Sequence, residues 1–214
     1  MTALSSFAAI MLTAGSLTVT TPVPGAPITQ VEVLSTSGTG CVEPQIRFSG
    51  GGLGEQGTLT IFANTKADAW GIDLPPSTEP ASASKECVFR LRVHQAAGVA
   101  FRTYNYVMEG SRSGPAGVEK THWLQGSFDN GVIWGGQRST DTSGAEGPFY
   151  QGGGGVLNPS TSPCSPTVDW TVRVGVSLAS TTPTSTGSSL WVKYPEGSWL
   201  TMVPGACTPE SSRR

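Results

Sequence analysis

Residues 168–178 carry the clearest pattern in the chain, a strict alternation of apolar and polar side chains. The apolar positions all share one parity: Val168, Trp170, Val172, Val174, Val176 and Leu178. Because successive side chains of a β-strand point to opposite faces, this pattern predicts a strand with one buried face. Residues 87–94 alternate in the same way and predict a second half-buried strand, with His94 on its polar side.

The rest of the chain is also of β type. Further strands are predicted over residues 28–34, 58–63, 99–109, 118–128, 132–138, 190–194 and 199–203. The Asn130-Gly131 dipeptide between two of these segments is a strong hairpin signal. Clusters of glycine, proline and serine predict loops over residues 49–57, 74–84, 151–166 and 180–189.

No window of the sequence shows the 3.6-residue period of an amphipathic helix. The pattern predicts an all-β fold, an antiparallel two-layer β-sandwich of the jelly-roll or immunoglobulin-like type, with a closed barrel as the alternative. We expect a single domain over residues 28–207 and a flexible tail over residues 208–214.

Residues 1–27 contain no charged side chain, and residues 7–12 form an apolar stretch. This stretch is similar to the hydrophobic part of a secretory signal, although the basic segment that normally precedes it is missing. Residues 1–27 are therefore expected to be a leader peptide or an N-terminal arm. No run of 18 apolar residues occurs, so no membrane span is predicted.

Charged residues make up only 13% of the chain, and the formal net charge is −2. Without a basic excess to neutralise phosphates, the protein is not expected to bind nucleic acid. The low charge instead fits an extracellular protein with long polar loops.

Four cysteines, Cys41, Cys87, Cys164 and Cys207, are far apart in the sequence and form no C-x-x-C motif. An even, sparse set of this kind predicts two disulfides in a secreted protein. Three pairings are open; we favour Cys87–Cys164 with Cys41–Cys207, because the latter bond would tie the two ends of the domain together.

The sequence offers no catalytic signature. Neither histidine, His94 or His122, belongs to a metal-binding spacing, and no G-x-S-x-G motif is present. The acidic residues are scattered, with no pair marked as sharing a cleft. We therefore expect a non-catalytic protein with no cofactor and no metal site.

Six tryptophans are many for so weakly charged a chain. Trp170 belongs to an apolar strand face and is expected in the core. Trp134 and Trp199 lie near predicted strand ends, and with Trp70 they are the candidate binding aromatics. Exposed aromatic rings stack on sugars and anchor protein contacts.

Several short segments together resemble a known family. They are Gly38-Thr39-Gly40-Cys41, residues 85–91, residues 98–110, residues 122–126, Gly147-Pro148, Ser162-Pro163-Cys164 and Cys207. In order and spacing they resemble the secreted bacterial and fungal family called domain of unknown function 4360, over roughly residues 29–207. Val42, Glu86 and Ser165 depart from its motifs. The resemblance implies a secreted, disulfide-bonded β-domain and no catalytic residues.

The leading hypothesis is a secreted, non-catalytic β-domain with a structural or adhesive role at the cell surface or in the matrix. It would bind a cell-wall or matrix glycan, or self-assemble as a homo-oligomer or filament in which residues 1–27 add a strand to a neighbour. The alternatives are an extracellular hydrolase acting on polysaccharide or peptide, and a secreted inhibitor or effector.

Overall fold

The computed structural model of the chain describes residues 17–19, 28–50, 57–62, 69–128, 133–154, 161–193 and 198–207. These residues contain no helix and thirteen strands. The strands are β1 (Leu17–Val19), β2 (Ile28–Ser37), β3 (Gln45–Gly50), β4 (Gly57–Phe62), β5 (Ala69–Leu74), β6 (Ala81–Gln95), β7 (Val99–Ser113), β8 (Glu119–Phe128), β9 (Ile133–Asp141), β10 (Gly147–Gly154), β11 (Thr167–Ser180), β12 (Ser188–Lys193) and β13 (Ser198–Ala206).

Six strands form one antiparallel sheet in the order β1-β2-β6-β11-β8-β9. Its centre is β11, which pairs with β6 from Thr167 to Ser180 and with β8 from Trp170 to Ala179. The strand with the clearest alternation therefore has neighbours on both edges. Its apolar parity is buried throughout, and Trp170 is 2% exposed, as expected for a core residue.

The other seven strands form a second antiparallel sheet around β7. β10 pairs with residues 105–112 of β7, whereas β13 pairs with residues 99–108 and β12 with residues 110–113. Residues 105–108 of β7 pair with both β10 and β13, and residues 110–112 pair with both β10 and β12. β10 therefore occupies one edge of β7, and β13 and β12 follow one another along the other edge. β13 continues to β4 and β3, and β12 continues to β5.

The two sheets pack face to face over a shared core of apolar residues from both. Phe89 and Leu91 of β6, Leu124 of β8 and Leu190 of β12 are fully buried within it. The predicted all-β, antiparallel sandwich is therefore confirmed, and the sheets do not close into a barrel.

Some local predictions are wrong. β10 extends to Gly154, into the glycine run predicted as a loop, and β6 begins at Ala81, inside another predicted loop. β3 and β5 were not expected at all. β8 and β9 are antiparallel neighbours, as the Asn130-Gly131 hairpin signal requires, although these two turn residues lie outside the described residues.

Within the predicted N-terminal arm, Leu17–Val19 forms the edge strand β1, which pairs with residues 31–33 of β2. This short strand thus extends the six-stranded sheet of its own chain. The predicted tail, residues 208–214, lies outside the described residues. The described part of the chain has no helix that is long and apolar enough to cross a membrane.

The two predicted disulfides form, but the favoured pairing is wrong: the bonds are Cys41–Cys87 and Cys164–Cys207. Cys41 follows β2, which lies beside β6, and the Gly40 N–H donates to the Glu86 carbonyl at 2.9 Å. Cys41 is thereby brought next to Cys87.

Cys207 directly follows β13, whose last residue lies opposite Val99. The Ser162 N–H donates to the Phe101 carbonyl at 2.7 Å, which brings the segment of Cys164 to the same end of β7. The order of the strands in each sheet therefore decides the pairing. The favoured Cys41–Cys207 bond would have to join two cysteines that lie beside different strands, β6 for Cys41 and β7 for Cys207.

Candidate functional site

The candidate site lies on the outer face of the six-stranded sheet, which we define as the polar parity of β6, β11, β8 and β9. In the register of the sheet, Thr171 of β11 lies between Arg90 of β6 and Ser127 of β8. Arg173, the next outward residue of β11, lies opposite Gln125 of β8. These five side chains are exposed or half-buried, so the face presents a patch of hydrogen-bonding groups to solvent.

A small pocket opens on this face, with a volume of about 120 Å³. Its lining residues are Gln125, Gly126, Ser127, Thr171 and Arg173. Sites that enclose a whole small molecule usually measure about 300–1,000 Å³. This pocket is therefore suited to one substituent of a larger ligand that lies across the sheet.

A β-bulge in the edge strand β9 flanks the pocket. Gly126 pairs with Gly135 and Ser127 pairs with Ile133, so Trp134 is the extra residue of β9 at this point. Bulges are frequent at sheet edges beside functional sites, where they redirect a side chain. The bulge places Trp134, one of the candidate binding aromatics, along the backbone next to two pocket-lining residues.

Beside the pocket, the Trp123 side chain reaches from β8 over Gly175 of β11 to Glu86 of β6. Its indole N–H donates to Glu86 Oε1 at 3.1 Å, and the Arg138 guanidinium carbon lies 4.9 Å from the ring centroid. The other support is Gly175 of β11: a Cβ built there would come within 2.0 Å of Trp123 Cζ2. The ring is thus held between the backbone of one strand and the side chains of two others.

Ion pairs differ between the two ends of the outer face. At one end Arg92 donates two hydrogen bonds to Asp169, at 2.7 and 2.8 Å, and His94 lies 3.0 Å from Glu32 Oε1. Near the pocket, Arg173 Nη1 lies 3.5 Å from Glu86 Oε2. Charge-assisted hydrogen bonds normally measure about 2.7–2.9 Å, so the contact at the pocket is the looser one.

The structure does not bring the three candidate binding aromatics together. Trp70 is buried at 5% exposure, and its indole N–H donates to the Gly40 carbonyl at 2.8 Å, so it serves the core rather than presenting a ring to solvent. Trp199 lies in β13 of the other sheet, opposite Thr60 and Val107. Of the three, Trp134 belongs to the six-stranded sheet, at the backbone bulge beside the pocket.

Sequence reasoning missed the part played by Trp123. The available signal was Gly175, a residue without a side chain in the middle of the polar parity of β11. Such a glycine marks a position where another group approaches the backbone closely. The partner, however, is known only once the register places Trp123 opposite it.

A second polar cluster lies inside the sandwich, between β8 and the strands β7 and β10. The His122 ring stacks on Phe149 of β10, with centroids 4.4 Å apart, and its Nε2 atom is buried without a hydrogen-bond partner. Lys120 is also buried, and its Nζ donates to two backbone carbonyls at 3.4 Å. Arg112 Nη1 lies 3.5 Å from Asp141 Oδ2 at the margin of this cluster.

The described residues of this interior cluster form no metal-binding group. Within the described ranges, no group of three or more His, Cys, Asp or Glu side chains is placed to hold a metal ion. The two histidines lie on opposite faces of the sheet, since His94 contacts Glu32 outside and His122 contacts Phe149 inside. The cluster is better understood as a titratable part of the contact between the sheets.

The interior position of His122 predicts that the fold loses stability in mild acid. Burial lowers the pKa of His122 below its usual 6.5; the Gln151 side chain opposes this in part, and the nearby Arg112 charge adds a smaller lowering. Below about pH 6.5 the unfolded chain therefore binds more protons than the folded one. We expect the free energy of unfolding to fall from that pH down to the folded-state pKa, by about 1.4 kcal/mol for each unit between the two values.

Urea unfolding at about pH 7.5 and about pH 5 would measure this loss. H122F should reduce it, because phenylalanine keeps a ring against Phe149 and carries no titratable group. H94Q is the matched control, since His94 lies on the outer face and should leave the His122 contribution in place. Equal acid sensitivity of H122F and the parent protein would contradict the prediction.

Comparisons with known proteins do not assign the chain to a family. No protein-family model and no curated protein matches the chain. A solved structure described as "CBM4 structure and function" is 10% identical over 78% of this chain and 81% of that chain, with a TM-score of 0.16. A TM-score so low carries no argument about fold or ligand, and the resemblance seen in the sequence stays a prediction.

Proposed function

We propose that the protein is a secreted, non-catalytic module that binds an extended polysaccharide on the outer face of the six-stranded sheet. The observation that carries this proposal is the pocket of about 120 Å³ on an open polar face, beside the backbone bulge at Trp134. The pocket accepts one substituent of a chain, while the rest of the chain lies along the sheet. The two disulfides support an extracellular location.

The chemistry of the face suits a carbohydrate. Gln125 supplies both an amide donor and an amide acceptor, and the Ser127 and Thr171 hydroxyls act as either. Neighbouring strands are about 4.8 Å apart, so the row from Arg90 through Thr171 to Ser127 spans about 10 Å. A row of that length contacts more than one unit of a polymer.

The carboxylates around the pocket support binding rather than hydrolysis. Glycoside hydrolysis requires two carboxyl groups on opposite sides of a scissile bond, one of them able to give a proton. Here Asp169 accepts two hydrogen bonds from Arg92, and Glu86 accepts one from the Trp123 indole. Both are thus already engaged as acceptors within the sheet.

We expect the oxidised protein to sediment with at least one insoluble polysaccharide from a panel of cell-wall and matrix polymers. Q125A removes a hydrogen-bonding side chain from the pocket wall, and W134A removes the aromatic residue at the bulge. Each should weaken binding by about tenfold, the usual effect of truncating one well-placed contact.

Y150A is the matched control for W134A. Tyr150 is 66% exposed on β10, in the other sheet, so its removal should leave the affinity unchanged. Failure to sediment with any polymer would refute the proposed function. Full affinity in both Q125A and W134A would show that the ligand binds elsewhere on the molecule.

A further inference from the structure

We infer that the substituent received by the pocket is anionic, a carboxylate or sulfate group of an acidic polysaccharide. This inference rests on the proposed function and names the class of polymer. It rests on the arginine side chains near the pocket, which make this part of the surface positive although the chain as a whole carries a net negative charge.

Arg173 lines the pocket, and its side chain is 52% exposed. Its contact with Glu86 is 3.5 Å long, and Glu86 also accepts the Trp123 indole N–H. The guanidinium group has five N–H donors in a planar array that matches carboxylate and sulfate oxygens. Arg173 therefore has donors to offer to a ligand in the pocket while it keeps its contact with Glu86.

Arg90 strengthens this positive field. It lies directly opposite Thr171 in the sheet and one residue pair away from Arg173 on the same face. Its side chain is exposed, and among the described residues no carboxylate comes within ion-pair distance of it. An exposed cation beside the pocket is thus available to a second oxygen or to the next acidic unit of a polymer.

The charge balance around the pocket is opposite to that of the chain. Arg173 lines it, Arg90 and Arg138 lie on neighbouring strands of the same face, and Glu86 pairs with Arg173, whereas the formal net charge of the chain is −2. The adjacent Asp169 does not change this balance, because Arg92 neutralises it through two hydrogen bonds. A neutral sugar would gain little from such an excess of guanidinium groups, while an acidic one gains both attraction and orientation.

The size of the pocket agrees with this chemistry. A volume of about 120 Å³ is too small to enclose a whole sugar unit, but it accommodates a single carboxylate or sulfate group. The Thr171 and Ser127 hydroxyls on its walls are able to donate to the remaining oxygens. The anionic group would therefore sit between two hydroxyls with Arg173 beside it.

Two pairs of soluble polymers test the inference in affinity gel electrophoresis: polygalacturonate against its methyl ester, and dextran sulfate against dextran. Each pair differs in its charged substituent and shares its backbone. We expect the acidic member of at least one pair to bind at least tenfold more tightly than its neutral partner. The pair that shows this difference identifies the substituent as carboxylate or sulfate.

R173Q and R90Q should each weaken binding to that acidic polymer by about tenfold and reduce its dependence on salt. K193Q is the matched control, because Lys193 is an exposed cation on β12 in the other sheet. The urea midpoints of all three variants should match that of the parent protein, as expected for exposed substitutions.

The outcomes separate this inference from the proposed function. Equal binding to both members of each pair, with Q125A still defective, would overturn the anionic substituent and keep polysaccharide binding on this face. An equal loss in K193Q and R173Q would overturn it as well, because attraction would then be general rather than local to the pocket. Absence of binding to every polymer, acidic or neutral, would remove both.

Discussion

Removing the Cys41–Cys87 disulfide with the double substitution C41A/C87A is expected to lower the free energy of unfolding by about 2–5 kcal/mol. The bond closes a loop between residues 46 positions apart, for which the chain-entropy relation gives about 4 kcal/mol. Cys87 is also fully buried in β6, so alanine there leaves unfilled space in the core. Guanidinium unfolding under non-reducing conditions measures the difference.

The same substitution should weaken polymer binding as well. The Gly40 N–H next to Cys41 donates to the Glu86 carbonyl, and the Glu86 side chain contacts both Trp123 and Arg173. Loosening the chain at residues 38–41 therefore disturbs the supports of the outer face.

The other disulfide supplies the comparison. Cys164–Cys207 closes a loop of similar length, with its cysteines 43 positions apart, but it lies at the start of β7, in the other sheet. C164A/C207A should lose a similar free energy of unfolding and retain its affinity for the polymer. Equal loss of affinity in the two double variants would contradict the link between Cys41–Cys87 and the outer face.

The sequence was sufficient to predict the architecture because alternation reports burial directly. Residues 168–178 of β11 and 89–94 of β6 alternate apolar and polar side chains, and these two strands are central in the six-stranded sheet. β10 was not predicted, because its sequence, Gly-Pro-Phe-Tyr-Gln-Gly-Gly-Gly, has too few side chains to show an alternation. Its strand conformation comes from pairing with β7, which no local pattern reveals.

The disulfide pairing and most of the site depend on which strands become neighbours. Cys41 meets Cys87 because β2 lies beside β6, and this neighbour relation leaves no trace in the spacing of the cysteines. Trp134 was recognised as an aromatic near a strand end, but its place in a bulge beside the pocket follows from the register of β8 and β9. Trp70 has similar surroundings in the sequence, and the structure buries it in the core.

The second large effect is expected from G175A, which adds a single methyl group to β11. The new Cβ would lie 2.0 and 2.1 Å from Cζ2 and Cε2 of the Trp123 ring, too close for any real contact. The ring is rigid, and Glu86 and Arg138 contact it from other sides, so it must leave its position. Overpacking of this kind costs about 1–3 kcal/mol of stability.

Polymer binding should fall at least tenfold in G175A, because Trp123 is the outward neighbour of Gln125 on β8 and lies beside Arg173 of β11. A displaced ring either fills the pocket or uncovers the Arg138 and Glu86 side chains that it now contacts. Urea unfolding and affinity electrophoresis on the same sample measure the two losses together.

A double-mutant cycle with W123A distinguishes the clash from other roles of the glycine. Once the indole is removed, alanine at position 175 has open space on the outer face, and it is better suited than glycine to a strand interior. The sign of the effect should then reverse, with G175A stabilising the W123A protein slightly while it destabilises the parent. If G175A instead costs the same free energy of unfolding in both backgrounds, the backbone of β11 requires the glycine. The contact with Trp123 would then not be the reason for it.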